Sequence, residues 1–379
     1  MSTAPTTESV SKGLDGIIAA CTRLSDVRGE VGELIYCGYD INELAGKVSF
    51  EEVVHLLHYN HLPNRRELAE LKATLVADRE LPQGLVDFLK LIPKDTPPMD
   101  AIRTAVSALG CFDHEQDNSQ DGQRRKAMRL IARIPILTAY FHRIRQGKSL
   151  LQPDPSLGEA ANFLYLMDGE KPSPEKAGTL DLCYVLHADH GMNASTFSAR
   201  VTISTLSDMY SAITSAIGTL KGPLHGGANE GVIKMLMEIG SIDKVDAYVD
   251  ECLAQKKKIM GIGHRVYKTV DPRAPQLKKM AQVLSSKIGE PKWIQMSERI
   301  AELMLKKKGL YANVDFYSAT VYYSLDIPTD LFTPIFAISR TAGWTAHVLE
   351  QLADNRLIRP QSHYTGPVGL KVTPIESRG

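Results

Sequence analysis

Apolar residues recur every three to four positions along most of the chain, which is the spacing of one buried face of an α-helix. Ser49 and Glu52 have the spacing of a capping box, which predicts a helix that starts there and stops at Pro63. Thr333-Pro334 supplies an N-cap and a first-turn proline for a helix that runs to about residue 352. The same periodicity predicts further helices at residues 65–78, 99–109, 124–146, 175–187, 231–239, 245–259, 274–287 and 293–307.

Strand patterns are few. Residues 33–41 alternate well enough for a small hairpin, and little else does. The longest apolar run, 195–220, contains Arg200, Asp208 and many Ser and Thr residues, so a buried helix or helix pair explains it better than a membrane span. The pattern predicts an all-α protein.

The balance of basic and acidic residues limits the classes of molecule that the chain is predicted to bind. The 379 residues include 44 basic and 44 acidic side chains, so no net field draws the chain to nucleic acid or to an anionic membrane. A small anionic ligand needs only a local basic patch.

The polar segment 1–12 is predicted to be a disordered tail and not a secretory signal. The five cysteines are scattered, lack Cys-x-x-Cys spacing and are predicted to be reduced core residues of a cytoplasmic protein.

The segment KGPLHGGANE (221–230) places a histidine in a glycine-rich turn before a helix that is predicted to start at about Ala228. The positive end of that helix disfavours an imidazolium, so His225 is predicted to be neutral. A neutral imidazole can donate a hydrogen bond to a developing enolate oxygen. A histidine that merely caps a turn explains this motif, taken alone, equally well.

The segment GIGHRVY (261–267) contains His264 and a Gly-x-Gly pair, but Val266 stands where a dinucleotide fingerprint needs its third glycine. The lysine run 256–258 comes directly before it. Lysines beside exposed glycine backbone suit a phosphorylated, adenine-bearing ligand, with peptide groups that contact the edge of the base. A solvated lysine run at a helix end is the alternative, and the Arg265, Lys268 and Arg273 that follow favour anion binding.

The segment NVDF (313–316) places Asp315 two residues after Asn313, a natural N-cap. A carboxylate near a helix N-terminus is predicted to stay ionised at neutral pH and can serve as a general base. An ordinary first-turn aspartate has the same pattern.

Arg340 lies on an apolar helix face without an acidic neighbour, between Phe336 and Trp344 at four-residue spacing, so it needs an anion from elsewhere.

His55, His58 and His61 are spaced by three residues. They drift round the predicted helix and bring no cysteine or acid into ligand spacing, so no metal site is predicted.

Several of these motifs, taken together and in this order, resemble the citrate synthase family over residues 13–367. The segments that carry the resemblance are HADHGMNAS (187–195), KGPLHGGANE, KKKIMGIGHRVYKTVDPR (256–273), NVDFYSA (313–319), LFTPIFAISRTAGWTAHVLEQ (331–351) and NRLIRP (355–360). The resemblance implies an all-α fold with a large domain (1–221 and 322–379) and an inserted small domain (222–321) that carries most of the catalytic and coenzyme A motifs. It also implies a homodimer or a larger assembly of dimers.

Position by position, the resemblance implies that His225 stabilises the enol of an acetyl thioester, that His264 polarises the ketone of oxaloacetate and that Asp315 is the base. The implied oxaloacetate ligands are His190, Arg273, Arg340 and Arg359, the last from the partner subunit. The implied coenzyme A contacts are Lys258, Ile259, Met260, Gly261 and Ile262. Acetyl-CoA is then a co-substrate, and no permanently bound cofactor is implied.

Two alternatives stay open. The segments PMDAIRTAVSALG (98–110) and SDMYSAITSAIG (207–218) resemble 2-methylcitrate synthases, which use propionyl-CoA, as well as short bacterial citrate synthases. One methylene is worth only about 1–3 kcal/mol of discrimination, so pocket shape decides between the two acyl groups. A catalytically idle helical assembly protein is the other alternative, and the intact His225, His264 and Asp315 argue against it.

Overall fold

A computed structural model describes residues 10–287 and 289–378; most of the predicted disordered tail, residues 1–9, lies outside the described residues. Helices make up most of the described chain, as predicted. They are α1 Ile41–Leu44, α2 Phe50–Tyr59, α3 Arg65–Ala77, α4 Gln83–Leu91, α5 Pro98–Leu109, α6 Gln120–Arg145, α7 Glu159–Asp168, α8 Pro174–His187, α9 Ala194–Ser204, α10 Met209–Leu220, α11 Ala228–Ile239, α12 Val245–Ala254, α13 Ala274–Lys287, α14 Lys292–Lys308, α15 Val314–Ser324 and α16 Phe332–Ala353.

One small antiparallel sheet precedes the helices, in the order β1 Ser25–Arg28, β2 Glu33–Tyr36 and β3 Tyr39–Asp40. Its register pairs Ser25 with Tyr36 and Ile35 with Asp40. The predicted hairpin corresponds to β2 and β3, whereas β1 was missed because its four residues SDVR are mostly polar and only half-buried. The sheet matters for the site, because Tyr36 and Ser25 contact the loop after α8.

Several helix boundaries differ from the prediction by one to five residues, and α4 and α7 were not predicted. α2 keeps its capping box at Ser49 but ends at Tyr59, because Asn60 adopts a left-handed conformation with φ 61°. α12 ends at Ala254, five residues early, and Lys256 has φ 56°. α16 begins at Phe332 after a short 3-10 turn, so Thr333 lies inside its first turn and is not the N-cap.

The core is organised around α16. Every side chain from Phe332 to Leu349 is buried, because this helix packs against α2, α5, α6, α8, α9, α10 and α11. The 195–220 run forms the antiparallel helix pair α9 and α10, and no helix in the described ranges could cross a membrane. In a second group of contacts, α13 and α14 pack against α15 and α12 packs against α14, while α11 contacts both α15 and α16.

The five cysteines are all free thiols, but only part of their predicted environment is correct. Cys183 and Cys252 are buried, whereas Cys21 and Cys111 are exposed, so the prediction that all five are core residues is wrong. Their scattered spacing in sequence carried no information on burial.

Candidate active site

The candidate residues from four separate segments converge beside α16. The rings of His190 and His264 lie 5.4 Å apart, edge to face. The charge of Arg273 influences the pKa of both histidines and that of Asp315, and the charge of Arg340 influences the pKa of Asp315 and that of His225. Four segments therefore lie close together: the loop after α8, the turn before α11, the start of α15 and residues 258–263 after α12, called the glycine strip below.

His225 lies in the turn that leads into α11 and is half-buried. Its Nε2 receives the backbone N–H of Ser195 at 3.3 Å and lies 2.8 Å from the Ser195 hydroxyl. A backbone N–H can only donate, so Nε2 presents its lone pair and the ring proton sits on Nδ1. Burial, followed by the charge of Arg340, lowers the pKa of His225 to about 4. The neutral state is as predicted, but burial and not the helix terminus is its main cause.

The Ser195 hydroxyl orients this ring. Its Oγ accepts the indole N–H of Trp344 at 3.1 Å, so its own hydrogen can point to His225 Nε2 or, at 2.7 Å, to the Asn193 side-chain oxygen. Sequence analysis missed Ser195, although it ends the HADHGMNAS motif. We identify it as a positioning residue for the Nδ1–H tautomer.

Replacement of Ser195 by alanine is expected to lower kcat by roughly 10-fold to 100-fold, a fraction of the 10²–10⁴ that a positioned acid or base contributes. The KM for either substrate should change little, because Ser195 acts through His225. Steady-state kinetics of Ser195→Ala beside Ser198→Ala, a variant of the same helix whose hydroxyl pairs with Ser215, would test this. Equal kcat values in both variants would remove Ser195 from the mechanism.

His264 has the opposite tautomer. Its Nδ1 accepts the backbone N–H groups of Val266 and Tyr267, each at 3.0 Å, so its proton must sit on Nε2. Burial, followed by the positive charge of Arg273, lowers its pKa to about 4. A neutral ring with one N–H aimed away from its own backbone can donate to a ligand oxygen.

The glycine strip is anchored to the start of α15. Gly263 N–H donates to the Tyr311 carbonyl at 2.7 Å, and Asn313 donates to the Gly261 and Gly263 carbonyls at 3.0 and 2.8 Å. Gly261 has φ 72°, and a Cβ there would lie 2.6 Å from Val232 Cγ2. The strip is thus less exposed than predicted: Ile259, Gly261 and Ile262 are buried, and Lys258 is exposed.

Asp315 lies in the first turn of α15, and its backbone N–H is capped by the Asn313 side chain at 3.0 Å, as predicted. Its Oδ1 is buried and has no hydrogen-bond partner within the described residues. Burial raises the pKa of Asp315 to about 7, and Arg273 opposes the shift. The prediction of a fully ionised carboxylate is therefore wrong, because desolvation outweighs the helix terminus.

Arg340 is 1% exposed, with its guanidinium 4.7 Å above the ring of Phe336. Its Nε donates to the His187 carbonyl at 2.6 Å, but its Nη2 is buried with no hydrogen-bond partner in the described part of the chain. Burial lowers the pKa of Arg340 to about 10. The predicted need for an outside anion agrees with this unpaired nitrogen.

Arg273 precedes α13 and is also buried, but it has an internal partner. Its Nε and Nη2 donate to the two oxygens of Asp271 at 2.9 and 2.8 Å. Asp271 also accepts the Val314 N–H at 3.1 Å, so this pair ties the segment before α13 to the start of α15. Nη1 remains outside the pair.

His190 is held by a buried network around Asp189. Tyr36 donates to the Asp189 carbonyl at 2.7 Å, and Asp189 Oδ2 accepts from Ser25, from the Gly191 N–H and from His347. His190 Nε2 lies 3.2 Å from the Tyr267 hydroxyl. Burial and the charge of Arg273 hold the pKa of His190 well below its usual range. Sequence analysis missed Asp189, Asp271 and Tyr267, although all three lie inside the quoted motifs.

A glycine in α16 permits this arrangement. Gly343 N–H donates to the Ala188 carbonyl at 3.1 Å, and a Cβ on Gly343 would lie 2.4 Å from that oxygen and from Asp189 Oδ1. The Ala188 oxygen belongs to the backbone, and hydrogen bonds to Oδ2 hold the Asp189 carboxylate in place, so the loop would have to move.

Gly343→Ala is expected to lower the free energy of unfolding by about 1–3 kcal/mol, as overpacked cores do, and to raise the KM for the ligand of His190. Gly178→Ala in α8, with open space around the new Cβ, is the control and should gain about 0.5–1 kcal/mol from helix propensity. Urea unfolding curves of both would measure the difference. A neutral Gly343→Ala would show that the loop yields without cost.

Arg359 lies apart from this cluster, exposed in the extended segment beyond α16. Within one chain it does not join the other candidate residues.

Comparisons with known proteins agree with these motifs. A family model described as the citrate synthase C-terminal domain matches residues 13–361. Citrate synthase 2 of Bacillus subtilis is 50% identical over 97% of this chain and 99% of its own length. A protein of the same organism named citrate/2-methylcitrate synthase is 44% identical over 94% of this chain and 96% of its own. The solved ternary complex of Thermoplasma acidophilum citrate synthase with carboxymethyl coenzyme A and oxaloacetate has a TM-score of 0.93 at 35% identity and covers 98% of this chain and all of that one.

Proposed function

The chain belongs to the citrate synthase family and is an acyltransferase that condenses acetyl-CoA with oxaloacetate, and from this premise we propose that His225, His264 and Asp315 carry the reaction. One observation supports this assignment above the others. Two neutral imidazoles have opposite tautomers, fixed by backbone N–H groups, and they belong to the same cluster as a carboxyl whose Oδ1 has no partner in the described chain and whose pKa lies near 7. Enolisation needs one base and one hydrogen-bond donor on the carbonyl oxygen.

In the first step, ionised Asp315 removes a proton from the methyl carbon of acetyl-CoA. The Nδ1–H of His225 donates to the thioester oxygen, on which negative charge develops. A pKa near 7 makes Asp315 a stronger base than an ordinary carboxylate while half of it remains ionised at neutral pH.

In the second step, the enolate carbon attacks the ketone carbon of oxaloacetate, and His264 gives its Nε2 proton to the alkoxide oxygen that forms. The proton that Asp315 took from the methyl carbon is then returned to the His264 ring, so both groups regain their starting states. A new carbon–carbon bond joins the two substrates as a citryl thioester. Water then cleaves the carbon–sulfur bond and releases citrate and free coenzyme A. The pKa of His264, lowered to about 4, makes its neutral ring a hydrogen-bond donor that needs no prior protonation.

The two carboxylates of oxaloacetate are bound by arginines. Buried Arg340 offers its unpaired Nη2, and Arg273 offers Nη1 beside its Asp271 pair. His190, held through Asp189, completes the set within the chain. The strip 258–262 binds coenzyme A, with exposed Lys258 toward the phosphates.

The site also needs a second subunit. Arg359 is exposed beyond α16, in a C-terminal segment that also exposes Leu357, Tyr364 and Val368. We propose that this segment reaches the site of a partner in a homodimer or a larger assembly of dimers. Sedimentation of the chain at a mass of at least twice 41.8 kDa would support this, and a stable monomer would contradict it.

Two further features remain proposals. The residues 222–321 form the small domain and 1–221 with 322–379 the large domain, in agreement with the separate contacts of α12–α14. The small domain closes over the substrates and excludes water. A cytoplasmic location and a role in the tricarboxylic acid cycle accord with the free thiols and with the family.

A thiol-release assay tests which acyl-CoA the enzyme prefers. We expect kcat/KM for acetyl-CoA with oxaloacetate to exceed that for propionyl-CoA by at least the 10-fold that one methylene typically allows, about 1–3 kcal/mol. A reversed ratio would identify a 2-methylcitrate synthase. Absence of thiol release from either substrate in a folded sample would support the idle assembly protein instead.

A further inference from the structure

A cluster of possible metal ligands lies at the junction of α2 and α3, in the N-terminal part of the chain, and the proposed reaction does not use it. One ligand atom each from His55, His61 and Glu67 lies within 4.8 Å of the other two. No metal site was predicted from His55, His58 and His61, because on one continuous helix their side chains point in different directions. That prediction assumed one continuous helix, and the structure breaks the helix between His58 and His61.

The break brings the two outer histidines together. Asn60 has φ 61° and turns the chain back, so the His61 ring lies edge to face with the His55 ring at 4.9 Å. His58 instead points into the core, 3.1 Å from the Thr345 hydroxyl, and takes no part. Glu67, in the first turn of α3, places Oε2 3.5 Å from His61 Nε2.

Both imidazoles are oriented as metal ligands usually are. His55 Nδ1 lies 3.0 Å from the His61 carbonyl, and His61 Nδ1 lies 3.0 Å from the Tyr59 carbonyl. A carbonyl only accepts, so Nδ1 carries the proton in each ring and each Nε2 presents a lone pair. Such carbonyl contacts on the second nitrogen fix the ring in many metal sites.

Glu67 is oriented as well. Its Oε2 accepts the Asn64 N–H at 2.9 Å in a capping box. The ion would sit beside Glu70, which lines the same cavity of about 310 Å³. Two carboxylates offset the positive start of α3 and the nearby Arg66.

We propose that His55, His61 and Glu67 form a binding site for a divalent transition-metal ion, with Zn²⁺ the best match. Two imidazole nitrogens and one carboxylate, with a fourth position open to water, are a common zinc ligand set. Zinc–ligand distances of about 2.0–2.2 Å require the ligand atoms to close in by about 1 Å from their widest separation. His61 is exposed and Glu67 is partly exposed, so both are free to make this adjustment. The ion would join the end of α2 to the start of α3.

The experiment measures Zn²⁺ binding to the intact, tag-free protein by calorimetry, with the absorption of Co²⁺ as a second readout of tetrahedral coordination. His61→Ala and Glu67→Gln should each weaken binding by about tenfold or more and remove the Co²⁺ bands. His114→Ala, which removes an exposed histidine elsewhere, is the matched control and should bind as the unchanged protein does.

The active-site histidines provide the competing explanation. If Zn²⁺ binds the His61→Ala and Glu67→Gln variants as tightly as the unchanged protein, the ion sits elsewhere and the proposal is wrong. Absence of saturable binding in the micromolar range would also overturn it. Both variants should keep their kcat, since neither residue touches the proposed active site, and this shows that they are folded.

Discussion

Asp315→Asn is expected to lower kcat by roughly 10²–10⁴-fold, because the amide cannot accept the methyl proton of acetyl-CoA. Asparagine has nearly the same shape, and the Asp315 Oδ1 has no hydrogen bond to lose among the described residues. The fold should therefore persist, and KM for oxaloacetate should change little. Thiol-release kinetics measure both constants, and near-normal turnover in this variant would show that another group is the base.

The same substitution is expected to raise the stability of the folded protein above neutral pH. The folded protein keeps the Asp315 proton up to about pH 7, whereas an unfolded chain loses it near its ordinary value of 3.8. Between these values the folded state binds more protons, so this group's contribution to stability is lost as pH rises through 7. Asp315→Asn removes that loss. We expect its melting temperature to match the unchanged protein at low pH and to exceed it above neutral pH.

The pH dependence of catalysis follows from the same group. In the unchanged enzyme, kcat/KM for acetyl-CoA should rise as pH increases through about 7, when Asp315 loses its proton. The two imidazoles should not contribute to this limb, because their pKa values lie near 4 and both are already neutral. A profile that is flat through neutral pH would contradict the raised pKa.

Arg340→Met is expected to raise KM for oxaloacetate by roughly 10²–10³-fold, because the loss of one partner of a buried charge pair costs about 2–5 kcal/mol. Methionine fills much of the same volume beside Phe336 but offers the substrate no donor. The Nη2 atom has no partner within the described chain, so the internal hydrogen bond that the variant loses is the single one from Nε to the His187 carbonyl. The free energy of unfolding should be unchanged or slightly higher, as when other buried ions are replaced by apolar residues.

Arg143→Met is the matched control. Arg143 is equally buried, but its guanidinium donates to the carbonyls of Ser149, Leu166 and Met167. Its loss should therefore lower stability and leave KM for oxaloacetate unchanged. The opposite outcome, a destabilised Arg340→Met with normal KM, would make Arg340 a structural residue only. Urea unfolding and initial-rate kinetics on both variants separate the two cases.

Much of the fold followed from local patterns. The helix at residues 274–287 was predicted to the residue, and the capping box at Ser49 and the N-cap at Asn313 were confirmed. These features depend on near neighbours, whose spacing the sequence contains directly. Two of the errors fell where a single left-handed residue ended a helix, at Asn60 and near Lys256, neither of which is a glycine.

The sequence by itself determined the fold class, the family and the identity of the candidate residues, because periodicity and motif order are properties of the chain. Only the tertiary structure decided their chemical state. Burial lowered the pKa of His225 and raised that of Asp315, and burial arises because segments far apart in the sequence pack around each side chain. Contacts between separate segments set the tautomer of His225 through Ser195 and brought Glu67 to His61. Such contacts depend on how the helices pack, which no local pattern encodes.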